Sequence, residues 1–158
     1  MRSCCAGRCG PHEHDLATPV TTRRLLALNV GSSTLKGASY LFNAEGPGAQ
    51  SRLVERSRAE IPVGVDAQER LATLLEALSE PSPGPDVVVH RIVHGGDLHD
   101  ARELDETVLA KLDALVPCAP LHQPVALAFA RAARMRWPHA RQGVAFDTDF
   151  HASLAPWS

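Results

Sequence analysis

No apolar run in this chain approaches the roughly 18 residues that a bilayer-spanning helix needs, which excludes a transmembrane helix. A surplus of one charge is lacking too: 16 Lys and Arg stand against 18 Asp and Glu, a net of −2 with the eight histidines neutral. Nothing in that balance draws the chain to nucleic acid or to a membrane surface. Beyond the first 22 residues only Cys118 remains of the four cysteines, so no disulfide framework is implied. The N-terminus has no apolar stretch of the about 7–15 residues that a secretory signal requires. Together these absences point to the cytoplasm. There is no internal repeat and no P-loop, which needs G-x4-G-K-[ST] leading into a helix.

The first 22 residues stand apart. They hold Cys4, Cys5 and Cys9 beside His12 and His14, without hydrophobic periodicity. The spacing C-C-x3-C-x2-H-x-H fits no structural zinc pattern, because such sites separate two ligand pairs by a longer loop. Residues 1–22 therefore read as a disordered N-terminal extension. The remainder is ordinary globular material, since 44% of the whole chain is hydrophobic and 22% charged. The 158 residues of the whole chain suffice for one domain with a real core.

Alternation marks the first strands. Leu25 to Val30 and Thr34 to Phe42 form a hairpin around Gly31-Ser32-Ser33, whose glycine tolerates positive φ. Arg52 to Ile61 adds a third antiparallel strand. Asp66 and Glu69 stand at capping-box spacing before a helix with Leu71, Leu74, Leu75 and Leu78 on one face. Val87 to Val93 is an apolar strand that runs into His94-Gly95-Gly96-Asp97. A second helix spans Asp105 to Val116, and a third starts near Pro124 and ends near Trp137-Pro138. Gly143 to Phe146 is a short strand, and "DTDFH" leaves it. Strands followed by strands alternating with helices predict a mixed α/β domain.

Four stretches carry groups capable of chemistry. At the hairpin tip, Ser32, Ser33, Thr34 and nearby amides suit an anion, and Lys36 shares the strand face of Thr34. The plain alternative is a polar turn with a surface lysine. In "HRIVHGG", Arg91 sits within an apolar strand, where an unpaired charge is costly to bury. It must pair with a carboxylate or lie where a ligand anion completes it. His90 and His94 are four apart on the strand, hence on one face; two ligands alone do not make a zinc site, so they read as structural histidines. In "FDTDFH", Asp147 directly follows a strand, a common place for an acidic metal ligand in α/β folds, or else caps a turn. Asp149 and His151 share its face if the chain stays extended. "CAPLHQP" is a proline-bracketed turn presenting Leu121 and His122.

Taken together, these stretches resemble the acetate kinase family. Its motifs N-x-G-S-S-S-x-K, H-R-[VI]-V-H-G-G, A-P-L-H-N-P and F-D-T-x-F-H appear in order as "NVGSSTLK", "HRIVHGG", "APLHQP" and "FDTDFH". Val30 and Thr34 replace the usual alanine and serine.

The resemblance implies a ribonuclease H-like, actin-like ATPase (ASKHA) fold, a mixed sheet with flanking helices. It implies reversible transfer of the ATP γ-phosphate to acetate or another short carboxylate, giving acetyl phosphate and ADP, with Mg2+ as cofactor. In that pattern Arg91 holds the carboxylate and the transferring phosphoryl group, and Asp147 and Asn29 serve the metal. Ser32, Thr34 and Lys36 line the phosphate path, and Val93 and Leu121 form a small apolar pocket. Residues 23–158 correspond to the first domain, truncated before a second one that carries the adenosine pocket and the contacts of a homodimer. The alternative is a catalytically silent fragment serving as an anion-binding or interaction module.

Overall fold

The structure is a computed structural model that describes residues 21–44, 53–63, 66–78 and 84–152. Of the expected disordered extension over residues 1–22, residues 1–20 lie outside the described residues, while Thr21 and Thr22 belong to the first strand instead. Among the described residues six strands form one sheet in the order β3-β2-β1-β4-β6-β5. β1 (Thr21–Val30), β2 (Thr34–Ala44) and β3 (Leu53–Pro62) are an antiparallel meander. β4 (Val87–Ile92) lies parallel to β1, and β6 (Arg141–Phe146) parallel to β4. The two-residue β5 (Arg102–Glu103) pairs antiparallel on the far edge of β6. This is the mixed sheet with flanking helices that the sequence implied.

The side-chain period of two splits the strands cleanly. Leu26, Leu28, Val30, Val88, Ile92, Val144 and Phe146 are buried on one face. Against that face pack α1 (Ala67–Leu78) and α3 (Gln123–Arg136), with α2 (Glu106–Ala114) behind α3. α1 starts where the sequence predicts, because Asp66 Oδ1 accepts from the amides of Gln68 and Glu69 at 2.9 and 3.0 Å. Leu71, Leu74 and Leu78 are its buried stripe, worth about 1.5–3 kcal/mol each when fully covered. A Cβ on Gly37 would come within 2.6 Å of Leu74 Cδ2, so a glycine there lets α1 lie close on β2.

Five expectations are corrected. Gly31 does not use its freedom at positive φ; among the described glycines only Gly84 and Gly96 do. β4 stops at Ile92, so His90 and His94 share no strand face. The second helix is shorter than expected: it ends at Ala114 and passes into a 3-10 turn, Val116–Cys118, whose proline lies at its start. The last strand starts two residues earlier than expected, at Arg141, where its amide bonds Asp86 O at 2.9 Å. "DTDFH" is not extended but opens α4 (Asp147–Ala152), so residues two apart point about 200° away from one another.

His90 occupies the helix-covered face at 2% exposure, its Nε2 2.8 Å from Gln142 Oε1. Burial pushes its pKa below the ordinary 6.5, partly opposed by the bond to Gln142. Below about pH 6.5 the unfolded chain takes up a proton at this position while the native core resists it, so stability present above that pH is lost as pH falls. Urea unfolding at pH 7.5 and 5.5 is expected to show this loss, at most about 1.4 kcal/mol per pH unit from one proton. His90→Asn should remove that part of the slope; an unchanged slope would assign it to other groups.

Candidate functional site

The face of the sheet opposite the helices holds a groove of about 550 Å³, lined in part by Asn29, Lys36, Tyr40, Arg58, Glu60 and Arg91. Strand register builds it. Glu60 lies opposite Lys36, Lys36 opposite Asn29, Asn29 opposite Arg91, and Arg91 opposite Ala145. Four polar side chains thus stand in one row across the sheet, with neighbouring strands about 4.8 Å apart. β6 then runs directly into Asp147 at the first position of α4. The row lies near the carboxyl ends of the parallel strands, where open α/β sheets bind ligands.

Arg91 is the hub. Its Nε donates to Asp147 Oδ1 at 2.7 Å and its Nη2 to Asp147 Oδ2 at 2.6 Å. Its Nη1 donates to Asn29 Oδ1 at 2.8 Å. The charge within an apolar strand is therefore paired with a carboxylate 56 residues away, in a bidentate fork. These three bonds leave an N–H on Nη1 and another on Nη2, because a guanidinium carries five. The side chain is half exposed and lines the groove, so those donors have access to a ligand.

Lys36 faces the same groove, with Nζ 3.4 Å from Glu60 Oε2. The hairpin tip lies beyond it. Gly31 N bonds Thr34 O at 2.8 Å and Ser33 O accepts from Val63 N at 2.9 Å, while the Ser32 side chain is exposed. Ser32 and Thr34 do not line the groove, and neither do Val93 and Leu121. Val93 is half-buried just after β4, and Leu121 is 78% exposed in the turn before α3. The structure thus brings together Asn29, Lys36, Arg91 and Asp147, and leaves the other four expected residues outside.

Sequence reasoning passed over the groups that tie the motifs to one another. Gln123, fully buried at the first turn of α3, donates from Nε2 to His94 O at 3.0 Å and to Leu112 O at 3.3 Å. It joins "APLHQP" to "HRIVHGG", and a glutamine beside a helix-starting proline was the available signal. Thr148 Oγ1 accepts from Gly95 N at 3.2 Å, joining "FDTDFH" to the same loop. Among the described residues no three His, Cys, Asp or Glu side chains gather to hold a metal. No described helix is long and apolar enough to cross a membrane.

Comparison with known proteins gives the family and the fold. The sequence pattern of the acetokinase family matches residues 24–158. The chain belongs to the acetokinase family. It is 37% identical over 134 residues to the acetate kinase of Methylocella silvestris, covering 83% of this chain and 33% of that protein. Acetate kinase 1 of Neisseria meningitidis serogroup A is 34% identical over 154 residues, covering 85% of this chain and 38% of the relative. Among solved structures, the acetate kinase of Entamoeba histolytica superposes with a TM-score of 0.57 at 27% identity, over 84% of this chain and 37% of the other. A propionate kinase of Francisella tularensis shares the fold with a TM-score of 0.56 at 24% identity. This acetokinase chain thus has the ASKHA fold, and it spans between 33% and 38% of the length of these curated relatives.

Proposed function

We propose that this acetokinase chain supplies the first domain of an ATP-dependent kinase of acetate or another short carboxylate. The observation that carries the reading is Arg91, oriented by Asp147 and Asn29 and left with two N–H donors beside an open groove. In the reaction a carboxylate oxygen forms a bond to the γ-phosphorus while the bond from that phosphorus to the bridging oxygen of ADP breaks. An anion must approach an anion. At 4 Å and an effective dielectric near 20, two unit charges repel by about 4 kcal/mol. Arg91 offsets that repulsion by donating to both oxyanions, and Asp147 holds the guanidinium plane while it does so.

Lys36 adds a second cation to the phosphate path, with Ser32 and Thr34 at its outer end. Asn29 and Asp147, whose oxygens also accept from Arg91, would hold magnesium only through their remaining lone pairs, beside the water and phosphate oxygens that such an ion keeps as its other ligands. The bound ion would supply neutralisation of the phosphate oxygens. Val93 and Leu121 would enclose the methyl group. One methylene is worth only about 1–3 kcal/mol in such a pocket, so propionate should also be accepted. A cytoplasmic setting, where ATP and ADP are available, belongs to the same reading. So does a second domain that completes the cleft, in keeping with the share of the relatives that this chain spans.

The test is ATP-dependent acyl-hydroxamate formation from acetate and hydroxylamine. It is run with the chain alone and with the remaining two-thirds of a curated relative added in trans. Hydroxamate in either mixture, absent without ATP, is the expected result. A folded chain that yields none in both would refute the reading.

A further inference from the structure

Three consecutive side chains at the start of α4 grip three points along β4 and the loop after it. Asp147 takes Arg91 in the fork described above. Thr148 Oγ1 accepts from the amide of Gly95 at 3.2 Å. Asp149 Oδ2 accepts from the amide of Asp100 at 3.2 Å, and its Oδ1 lies 3.4 Å from His99 Nδ1. The loop is shaped for this contact. A Cβ on Gly95 would meet Phe146 Cγ at 2.6 Å and Leu98 O at 2.9 Å, so the loop backbone lies directly on the end of β6. Asp100 takes a φ of 61°, a conformation that Asp tolerates better than most residues.

α4 has six residues, too few for helix formation alone to hold it in place. Its orientation about its own axis decides whether the Asp147 carboxylate meets Arg91 edge-on. We propose that Thr148 and Asp149 are positioning residues: they fix the rotation of α4 and so keep Asp147 bidentate on Arg91. This inference rests on the reading of Arg91 as the anion-binding group and adds two residues to that site. Neither touches the groove. Both act on the anion through Asp147, by holding the loop that leaves the Arg91 strand.

The test reads Arg91 directly. Solvent exchange of the Arg91 Nε–H is followed by NMR in the full chain, its resonance identified by its loss in Arg91→Lys. Thr148→Val and Asp149→Ala are each expected to speed that exchange by about tenfold, the factor that one hydrogen bond commands. Thr148→Ser and Asp149→Asn, which keep an oxygen acceptor, should restore the parent rate. Arg58 Nε–H, paired with Glu55 on β3, should not change, which separates positioning from general loosening. Unaltered Arg91 exchange in Thr148→Val and Asp149→Ala would overturn the proposal, as would equal acceleration at Arg58. Should Asp149→Ala fail to fold, the isosteric Thr148→Val against Thr148→Ser decides alone. The hydroxamate assay stays a separate readout. Altered exchange together with no hydroxamate in either mixture would sink the proposed reaction and leave the positioning role standing.

Discussion

Arg91→Ala is expected to lower carboxylate phosphorylation by about 10³–10⁵, the range an arginine commands on a transferring phosphoryl group. That factor corresponds to roughly 4–7 kcal/mol of barrier, more than the repulsion of about 4 kcal/mol between the two reacting anions. The site supplies the reason for so large an effect. Arg91 holds two N–H donors to the groove while three others are anchored, so its removal takes away both the cation and its aim. Arg91→Lys should fall between, because an ammonium keeps the charge and loses the planar fork. Stability should fall by about 1–3 kcal/mol in Arg91→Ala, which leaves the mostly covered Asp147 carboxylate and the Asn29 amide oxygen without their donor, and by less in Arg91→Lys. Steady-state rates and thermal unfolding measured side by side check this. Near-normal turnover in Arg91→Ala would remove Arg91 from the chemistry.

Phe129→Ala should have the largest effect on stability, about 3–5 kcal/mol. Phe129 is 1% exposed on α3, the helix that lies over β1 and β4. Its buried neighbours on that helix include Ala126, Ala130, Ala132 and Ala133, whose single methyl groups cannot swing in to refill a void. The cavity therefore persists, and its cost adds to the lost transfer energy. Against a typical total of about 5–15 kcal/mol, that is a large share. Thermal unfolding should shift downward by roughly 6–20 °C, at about 2–4 °C per kcal/mol for a chain of this size. A shift under about 2 °C would mean that the core closes over the deletion. Because α3 also carries Gln123, which holds the loop after β4, the same variant should loosen the site.

Much of the fold is legible in the sequence because its signals are local. Asp66 and Glu69 mark the start of α1, and Pro124 lies at the first turn of α3, where a missing amide costs nothing. Alternating apolar residues mark β1, β2 and β3, and a helical leucine stripe marks the face of α1. The site is legible differently. Its residues emerge through motif resemblance, and local patterns alone leave each of them with a plain alternative.

The partners are not legible. Sequence alone offers Asp147 as a metal ligand or a turn residue, and in the structure both its oxygens accept from Arg91. It offers Lys36 as a cation on the phosphate path, and the lysine also faces Glu60 from the neighbouring strand. "DTDFH", in which Asp147, Asp149 and His151 would share a face only if extended, is helical in the structure, and its first three side chains find acceptor roles toward Arg91, Gly95 and Asp100. Composition, periodicity and motif order were enough to determine an acetokinase-type α/β domain and the residue types of its site. Only the tertiary structure decided which of those residues touch. Contacts such as Asn29 with Arg91, 62 residues apart, depend on the register of parallel strands joined by distant crossovers. Helix packing over the whole sheet sets that register, and no local stretch of sequence encodes it.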